Sequence, residues 1–348
     1  MTKRVAVTGA GSRTAHGIIR AFRSAEPRPF LLGLDTSPRA AGLYHCDALA
    51  LLPPATQESA WIQALAAALQ VHDVDLLVPG CDPELPLVAR HRAELEATGC
   101  RVLVSTPEFI ALTRDKLAPW ERLAPLGLPY VRTFPVEAVL ADSHRFQAPM
   151  VLKPRRGSGS RGIVLVERLE DLPQDLEPGG WILQDFLRPV QWEAGTPALL
   201  AGGGFRQEDE VNLQGLVDPG GRVVSVFVSR NRQVQGVTQE VRPLADASLE
   251  ALAWTTFGIL ADHGLRGPGN VQGRLTREGF RAYEINPRFT GNAAARATLG
   301  YPECRMALGL FAEGWTPEQA RACIGIQYDQ ACLRYWDEVR VPLSALEP

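Results

Sequence analysis

From residue 4 to about 105 the chain changes texture at regular intervals, from short β-rich runs to helical ones. "RVAVTG", the stretch 14–24, "PFLLGLD", "ESAWIQALAAALQVH", "VDLLVPG", "PELPLVARHRAELEATG" and "RVLVS" follow in that order. This rhythm limits the fold sharply. A two-residue hairpin joins antiparallel strands, whereas parallel strands need a crossover of a dozen or more residues, usually a helix. Strands separated by helices of this length therefore predict a parallel sheet covered on both faces.

Such a layer is Rossmann-like, and its first turn, "GAGSRTAHG", has to be tested for dinucleotide binding. Gly9 and Gly11 fit a G-x-G-x-x-G turn, but Thr14 stands in place of the third glycine. Asp35 closes the second strand about where a ribose-binding acid would stand. A plain tight turn at a strand-to-helix junction explains the same residues. An NAD-linked oxidoreductase would also leave the second half of the chain unexplained.

The remainder has two further styles. "TPEFIALTRDKLAPWERLAPLGLP" reads as a helix capped near Thr113 or Asp115 and ended by Gly127 and Pro129. "MVLKP" and "IVLVE" then flank the loop "RRGSGSRG". A hairpin needs only two turn residues, so this tip is either a disordered surface loop or a set of backbone N–H groups that closes on an anion. From 184 onward the strands lengthen and look antiparallel, among them "DEVNLQGLVD", "RVVSVFVSRNR", "GPGNVQGRLT" and "FRAYEINPR". The stretch 188–209 reads as a loop insertion. The sequence thus divides into 1–106, 107–183, 184–312 and a C-terminal extension, 313–348.

Composition narrows the partners. With 348 residues, 45% hydrophobic and 22% charged, the chain can bury a large core. A net charge of −3 without long single-sign runs gives no footprint for nucleic acid or an anionic membrane. Small-molecule substrates are expected. No apolar stretch is long enough to span a bilayer. Six scattered cysteines without a Cys-x-x-Cys suit reduced thiols. The cytoplasm is the default compartment, and a homodimer the default assembly.

The most chemically loaded stretch is "YEINPRFTGN", residues 283–292. On an extended strand Glu284 and Asn286 project from one face, and Arg288 follows on the same side beyond Pro287. In the neighbouring run "NVQGRL", Gln272 can place its carbonyl oxygen near Glu284. One carboxylate and two amide oxygens form an all-oxygen set suited to a hard cation, Mg²⁺ or Mn²⁺, whose shell is completed by water and substrate phosphates. The forked donors of Arg288 can reach a phosphoryl group. An exposed ion pair alone would contribute only about 0–1 kcal/mol.

"DKLAPWERLAPLGLP", "PMVLKPRRGSGSRGIVLV", "ILQDFL", "NVQ" and "EINPRFTGN" occur together in the order and spacing of the ATP-grasp superfamily. They most resemble its carbamoyl phosphate synthetase large-subunit type, over roughly residues 1–312. The resemblance implies a Rossmann-like pre-ATP-grasp domain followed by a two-subdomain ATP-grasp fold, α/β and α+β in class. It implies that Lys116 and Lys153 approach the phosphates of ATP. Gly157, Ser158, Gly159, Ser160 and Gly162 match the lid over them. Gln184, Asp185, Phe186 and Leu187 match the hinge that meets adenine, chiefly through its backbone. Glu210 matches the ribose acid, with Glu193 a rival. Gln272, Glu284 and Asn286 match the metal ligands, Arg288 faces the transferred phosphoryl, and Arg230 and Arg232 match basic positions near the substrate.

The implied reaction is phosphorylation of a carboxylate by ATP, then attack of an amine, plausibly with an amino acid as one substrate. A single set of motifs argues against carbamoyl phosphate synthesis, which uses two ATP-grasp halves. A non-catalytic nucleotide sensor is the other alternative. Asp82 and Glu84 in "PGCDPELP" either read the substrate from a strand end or cap the following helix, with capping favoured.

Overall fold

The computed structural model describes residues 2–157, 162–190, 210–234, 237–335, 339–342, 344 and 346. Ser158, Gly159, Ser160 and Glu193 lie outside the described residues, as does most of the 188–209 insertion.

Fifteen strands occur among the described residues. The first five are β1 (Arg4–Val7), β2 (Phe30–Asp35), β3 (Ala48–Leu51), β4 (Leu76–Val78) and β5 (Arg101–Val102). They form one parallel sheet in the order β3-β2-β1-β4-β5. Ala6, Leu32, Leu34 and Leu77 pack on one face against Trp61, Ile62 and Leu65 of the helix Glu58–Val71. On the other face Val5, Val7 and Leu31 meet Ile18 and Phe22 of the helix Arg13–Arg23. Phe289, Tyr301 and Met306 join that second core, so segments nearly 300 residues downstream complete the cover. Gly17 permits the contact: a Cβ there would lie 2.4 Å from the Gly291 carbonyl oxygen.

The strands β6 (Thr133–Pro135), β7 (Met150–Pro154), β8 (Val164–Val166) and β9 (Trp181–Asp185) form a small antiparallel sheet in the order β6-β9-β7-β8. The β7–β8 hairpin carries the glycine loop. The helix expected over "TPEFIALTRDKLAPWERLAPLGLP" is broken into Pro107–Arg114, capped by Thr106, and Ala118–Arg122. Thr113 does not cap it; its hydroxyl donates to the Phe109 carbonyl inside the first piece. Asp115 stands at the break, accepting from the Leu117 N–H (3.1 Å) and binding the Arg155 guanidinium. Gly127, at φ +97°, ends the segment.

The large antiparallel sheet contains β10 (Glu210–Val217), β11 (Val223–Val234), β12 (Val237–Pro243), β13 (Gly267–Thr276), β14 (Gly279–Asn286) and β15 (Cys332–Leu333). Its order is β14-β13-β10-β11-β12-β15, so the C-terminal segment returns to its edge. The helix Ala247–Asp262, capped by Asp246, covers one face through Leu249, Ala253 and Phe257. The stretch entering β6 is bonded to β14, with Val131 N–H donating to Ala282 (2.8 Å) and Ala282 N–H to Pro129 (2.7 Å). These bonds hold the small sheet beside the edge of the large one. No helix among the described residues is long and apolar enough to cross a membrane.

Candidate functional site

A cavity of about 650 Å³ lies between the small and large sheets. Lys116, Lys153, Gly157, Gln184, Asp185, Phe186, Leu187, Glu210, Gln272 and Glu284 all line it.

The strands carrying "NVQ" and "YEIN" pair with each other. Gln272 on β13 pairs directly with Glu284 on β14, and Asn270 with Asn286. One feature departs from simple alternation. Gln272 faces Glu284 but Gly273 faces Ala282, which leaves Tyr283 without a partner as a β-bulge. The extra residue turns Tyr283 as well as Glu284 to the cavity wall. Gly273 is needed there, because a Cβ would lie 2.3 Å from the Arg281 carbonyl oxygen.

Tyr283 organises the floor. Its main-chain carbonyl accepts from Lys153 Nζ (3.3 Å), Gln184 Nε2 (3.4 Å) and Tyr130 OH (3.0 Å). Its hydroxyl donates to Glu210, which also accepts from Asn212 Nδ2 (2.6 Å). Glu210 is therefore on the wall, but buried and already bonded, and its burial pushes its carboxyl pKa up. Nothing in the linear pattern distinguished Tyr283; only the bulge gives it this place.

The two lysines are buried cations. Lys153 is 5% exposed, and burial lowers its ammonium from 10.5 to about 8, with Lys116 adding to the effect and Glu284 opposing it. Burial likewise lowers Lys116, against the pull of Glu284 and Asp82; its Nζ donates to the Gly157 carbonyl at 2.7 Å. No described residue donates a hydrogen bond to the Glu284 carboxylate, although the charge of both lysines reaches it. An unpaired carboxylate with an amide directly across the ladder fits a hard divalent cation, whereas the second amide, Asn286, does not line the cavity and its Oδ1 accepts from Arg288. No cluster of three or more His, Cys, Asp or Glu with ligating geometry exists among the described residues. The shell of such an ion would need oxygens from water or phosphate.

At the end of β9, the Asp185 carboxylate binds Arg132 (2.7 Å) and the Leu187 carbonyl accepts from Arg274 (2.6 Å). The Leu187 N–H has no partner among the described residues. A backbone donor of a residue on the cavity wall is thereby left open.

Several positions differ from expectation. Arg288 stays on the side of Asn286, donating to its Oδ1 (3.2 Å), but its fork is turned to Asp82, Nε to Oδ1 at 2.6 Å and Nη2 to Oδ2 at 2.8 Å. Asp82 and Glu84 cap no helix: neither gives a side-chain cap bond, and Glu84 is buried against the Thr8 hydroxyl. Asp82 is instead the partner of Arg288; burial pushes its carboxyl up, but the charge and hydrogen bonds of Arg288 together with the charges of Arg114 and Lys116 bring it below its ordinary value. Arg232 is absent from the cavity wall; it is mostly exposed at the end of β11, 3.8 Å from Glu240. Its place follows from a second irregularity, between Arg232 and Gln233, which puts Gln233 on the wall. Arg230 pairs across the sheet with Arg242 and does not line the cavity either. In the first turn, the Asp35 carboxylate accepts from the Gly11 N–H (2.8 Å) and so occupies the donor a dinucleotide phosphate would need.

Known proteins share this architecture. Residues 5–103 match the PylC-like N-terminal domain. A carbamoyl-phosphate synthase from Methanobrevibacter smithii is 33% identical over 113 residues; the match covers 30% of this chain and 30% of that protein's length. The N5-carboxyaminoimidazole ribonucleotide synthetase of Thermus thermophilus superposes with a TM-score of 0.68 at 18% identity, covering 92% of this chain and 79% of that one. A biotin carboxylase–β-γ-ATP complex from Campylobacter jejuni gives 0.66 at 17% identity, over 96% and 74%. An L-amino acid ligase from Bacillus licheniformis gives 0.61 at 17% identity, over 89% and 74%. With a Rossmann-like sheet, a hairpin-bearing small sheet and a large antiparallel sheet around one cavity, the chain shares the fold of these solved structures.

Proposed function

We propose that this protein is an ADP-forming carboxylate–amine ligase: ATP phosphorylates a carboxylate, and an amine displaces phosphate from the acyl phosphate. The observation that carries the reading is the pairing of Gln272 with Glu284 on the wall that also holds Lys116 and Lys153. Stability gives no reason to bury two lysines facing an unpaired carboxylate; a polyphosphate with its cation satisfies all of them.

Direct condensation of a carboxylate with an amine fails because the departing oxygen is a poor leaving group, which phosphorylation cures. Lys153 and Lys116 neutralise the phosphates, and Leu187 N–H with its neighbours seats the adenine. Gln272, Glu284 and Asn286 would hold Mg²⁺, which supplies charge neutralisation and orientation of the phosphates when bound. Arg288, released from Asp82, stabilises charge developing on the transferred group. Domains at 1–106, 107–183 and 184–312, the last two closing on the nucleotide, with the 313–348 extension, a cytoplasmic setting and a homodimer complete the proposal.

The test is incubation with Mg-ATP and a matrix of carboxylic and amino acids, reading ADP release and product mass, with hydroxylamine to trap the acyl phosphate as a hydroxamate. Glu284→Gln should abolish substrate-dependent ADP release with the fold intact. Unchanged turnover in that variant removes Glu284 from the metal site.

A further inference from the structure

A second, smaller pocket of about 90 Å³ lies where the first helix meets the end of the large sheet. The Gly17–Gly291 contact lays the helix Arg13–Arg23 against the segment that follows the metal strand. Arg13 and Arg20, seven residues and thus two turns apart, fall on the helix side carrying Gly17. From the opposite direction, the pairing of β15 with β12 delivers Arg334, whose Nη1 donates to the Thr238 carbonyl (3.1 Å) and to Asn292 Oδ1 (3.0 Å). Those two bonds fix the guanidinium with Nη2 beside Gly291.

Arg20 and Arg334 both line the pocket, while Arg13 lines the large cavity. Among the described residues no carboxylate pairs with any of the three. The groups acting on Arg334 are the Cys332 thiol, which raises its pKa, and Arg20, Arg296 and Arg13, which lower it; Arg296 is already committed to Glu303. Burial, with these like charges adding to it, lowers the Arg334 pKa. Gathering guanidinium groups in a half-buried corner without a counter-charge is unfavourable by Coulomb repulsion and desolvation alike. An anion reverses both. The pocket volume, a few times a water's share of the liquid, suits a compact oxyanion.

We propose that Arg20 and Arg334, with Arg13 as the cationic link to the large cavity, form a binding site for an oxyanion, a carboxylate or phosphoryl group. It is carried either on the far end of a substrate or as a free anion. The forked donors of arginine suit both groups. This site is separate from the phosphate-facing lysines, and its occupancy is read without turnover, so failure of the ligase reading leaves it standing.

The probe is inorganic phosphate, titrated by calorimetry and thermal shift at constant ionic strength against chloride. Wild type should bind saturably, and Arg20→Gln and Arg334→Gln should each weaken binding tenfold or more. Lys153→Met should leave the response in place. Arg334→Lys guards against a folding defect, keeping the charge and part of the affinity. A phosphate response equal to that of chloride overturns the proposal, as does one lost in Lys153→Met and kept in both arginine variants. In turnover assays, phosphate that competes with an organic substrate in wild type but not in Arg20→Gln assigns the site to that substrate's anionic end. A non-competitive effect with the same Arg20 dependence assigns it to a free anion.

Discussion

Replacing Lys153 by Met should stabilise the free protein at neutral pH and abolish nucleotide binding. The ammonium is buried at 5% exposure, and its pKa falls from 10.5 to about 8. Between those values the unfolded chain holds a proton the folded one has lost, so wild-type stability rises with pH through this window. Below pH 8 the folded protein bears the full cost of keeping the charge, roughly 3 kcal/mol at about 1.4 kcal/mol per pH unit. Methionine keeps the apolar stem and removes the charge. The Tyr283 carbonyl loses one donor but retains Gln184 and Tyr130, a loss of about 1 kcal/mol. The expected net gain is about 2 kcal/mol at pH 7. Urea denaturation of both proteins at pH 7 and 9.5 measures it: by linkage the wild type should recover about 2 kcal/mol over that interval, and the variant's advantage should vanish. Calorimetry supplies the functional half. Phosphates drawn to Lys153 raise its pKa again, so ATP binding near pH 8 should take up about half a proton in the wild type, whereas the variant should show no thermal shift with Mg-ATP. A variant less stable than wild type by the same margin at both pH values refutes the reasoning, because Lys153 would then be an ordinary structural cation.

Two further substitutions probe how the site is positioned. Asp82→Asn removes the counter-charge of the buried Arg288 and should destabilise the free protein by about 3 kcal/mol. Mg-ATP, which brings negative charge to the same guanidinium, should raise the Tm of this variant more than that of wild type; equal shifts would detach Arg288 from the phosphates. Gly273→Ala puts a Cβ 2.3 Å from the Arg281 carbonyl oxygen. It should lower stability by roughly 1–3 kcal/mol and, by flattening the bulge, weaken nucleotide binding as well; unchanged affinity would show that Tyr283 is not needed where it stands.

Much of this protein was legible in one dimension because its signals are local. Helical spacing between β-rich runs implied the parallel sheet, since a crossover has no shorter solution. The period of two along a strand put Glu284 and Asn286 on one face, and "NVQ" upstream supplied Gln272 across the ladder. Lys153 was marked by ending a strand before a glycine loop. What the sequence left open depends on contacts between distant segments. The bulge that turns Tyr283 to the cavity is a mismatch between two strands, so neither strand carries it alone. Asp82 read as a helix cap because local capping is its commonest use, whereas the guanidinium that claims it comes from a residue 206 positions away. Arg232 matched a motif position, but a register shift and Glu240 hold it at the strand end. Arg20 and Arg334 are unremarkable in the chain and meet only because two glycines let a helix lie against the far end of the fold. Periodicity determines which way a side chain points from its own strand; only packing decides what it points at, and in this site charge pairing and burial are set by what lies opposite.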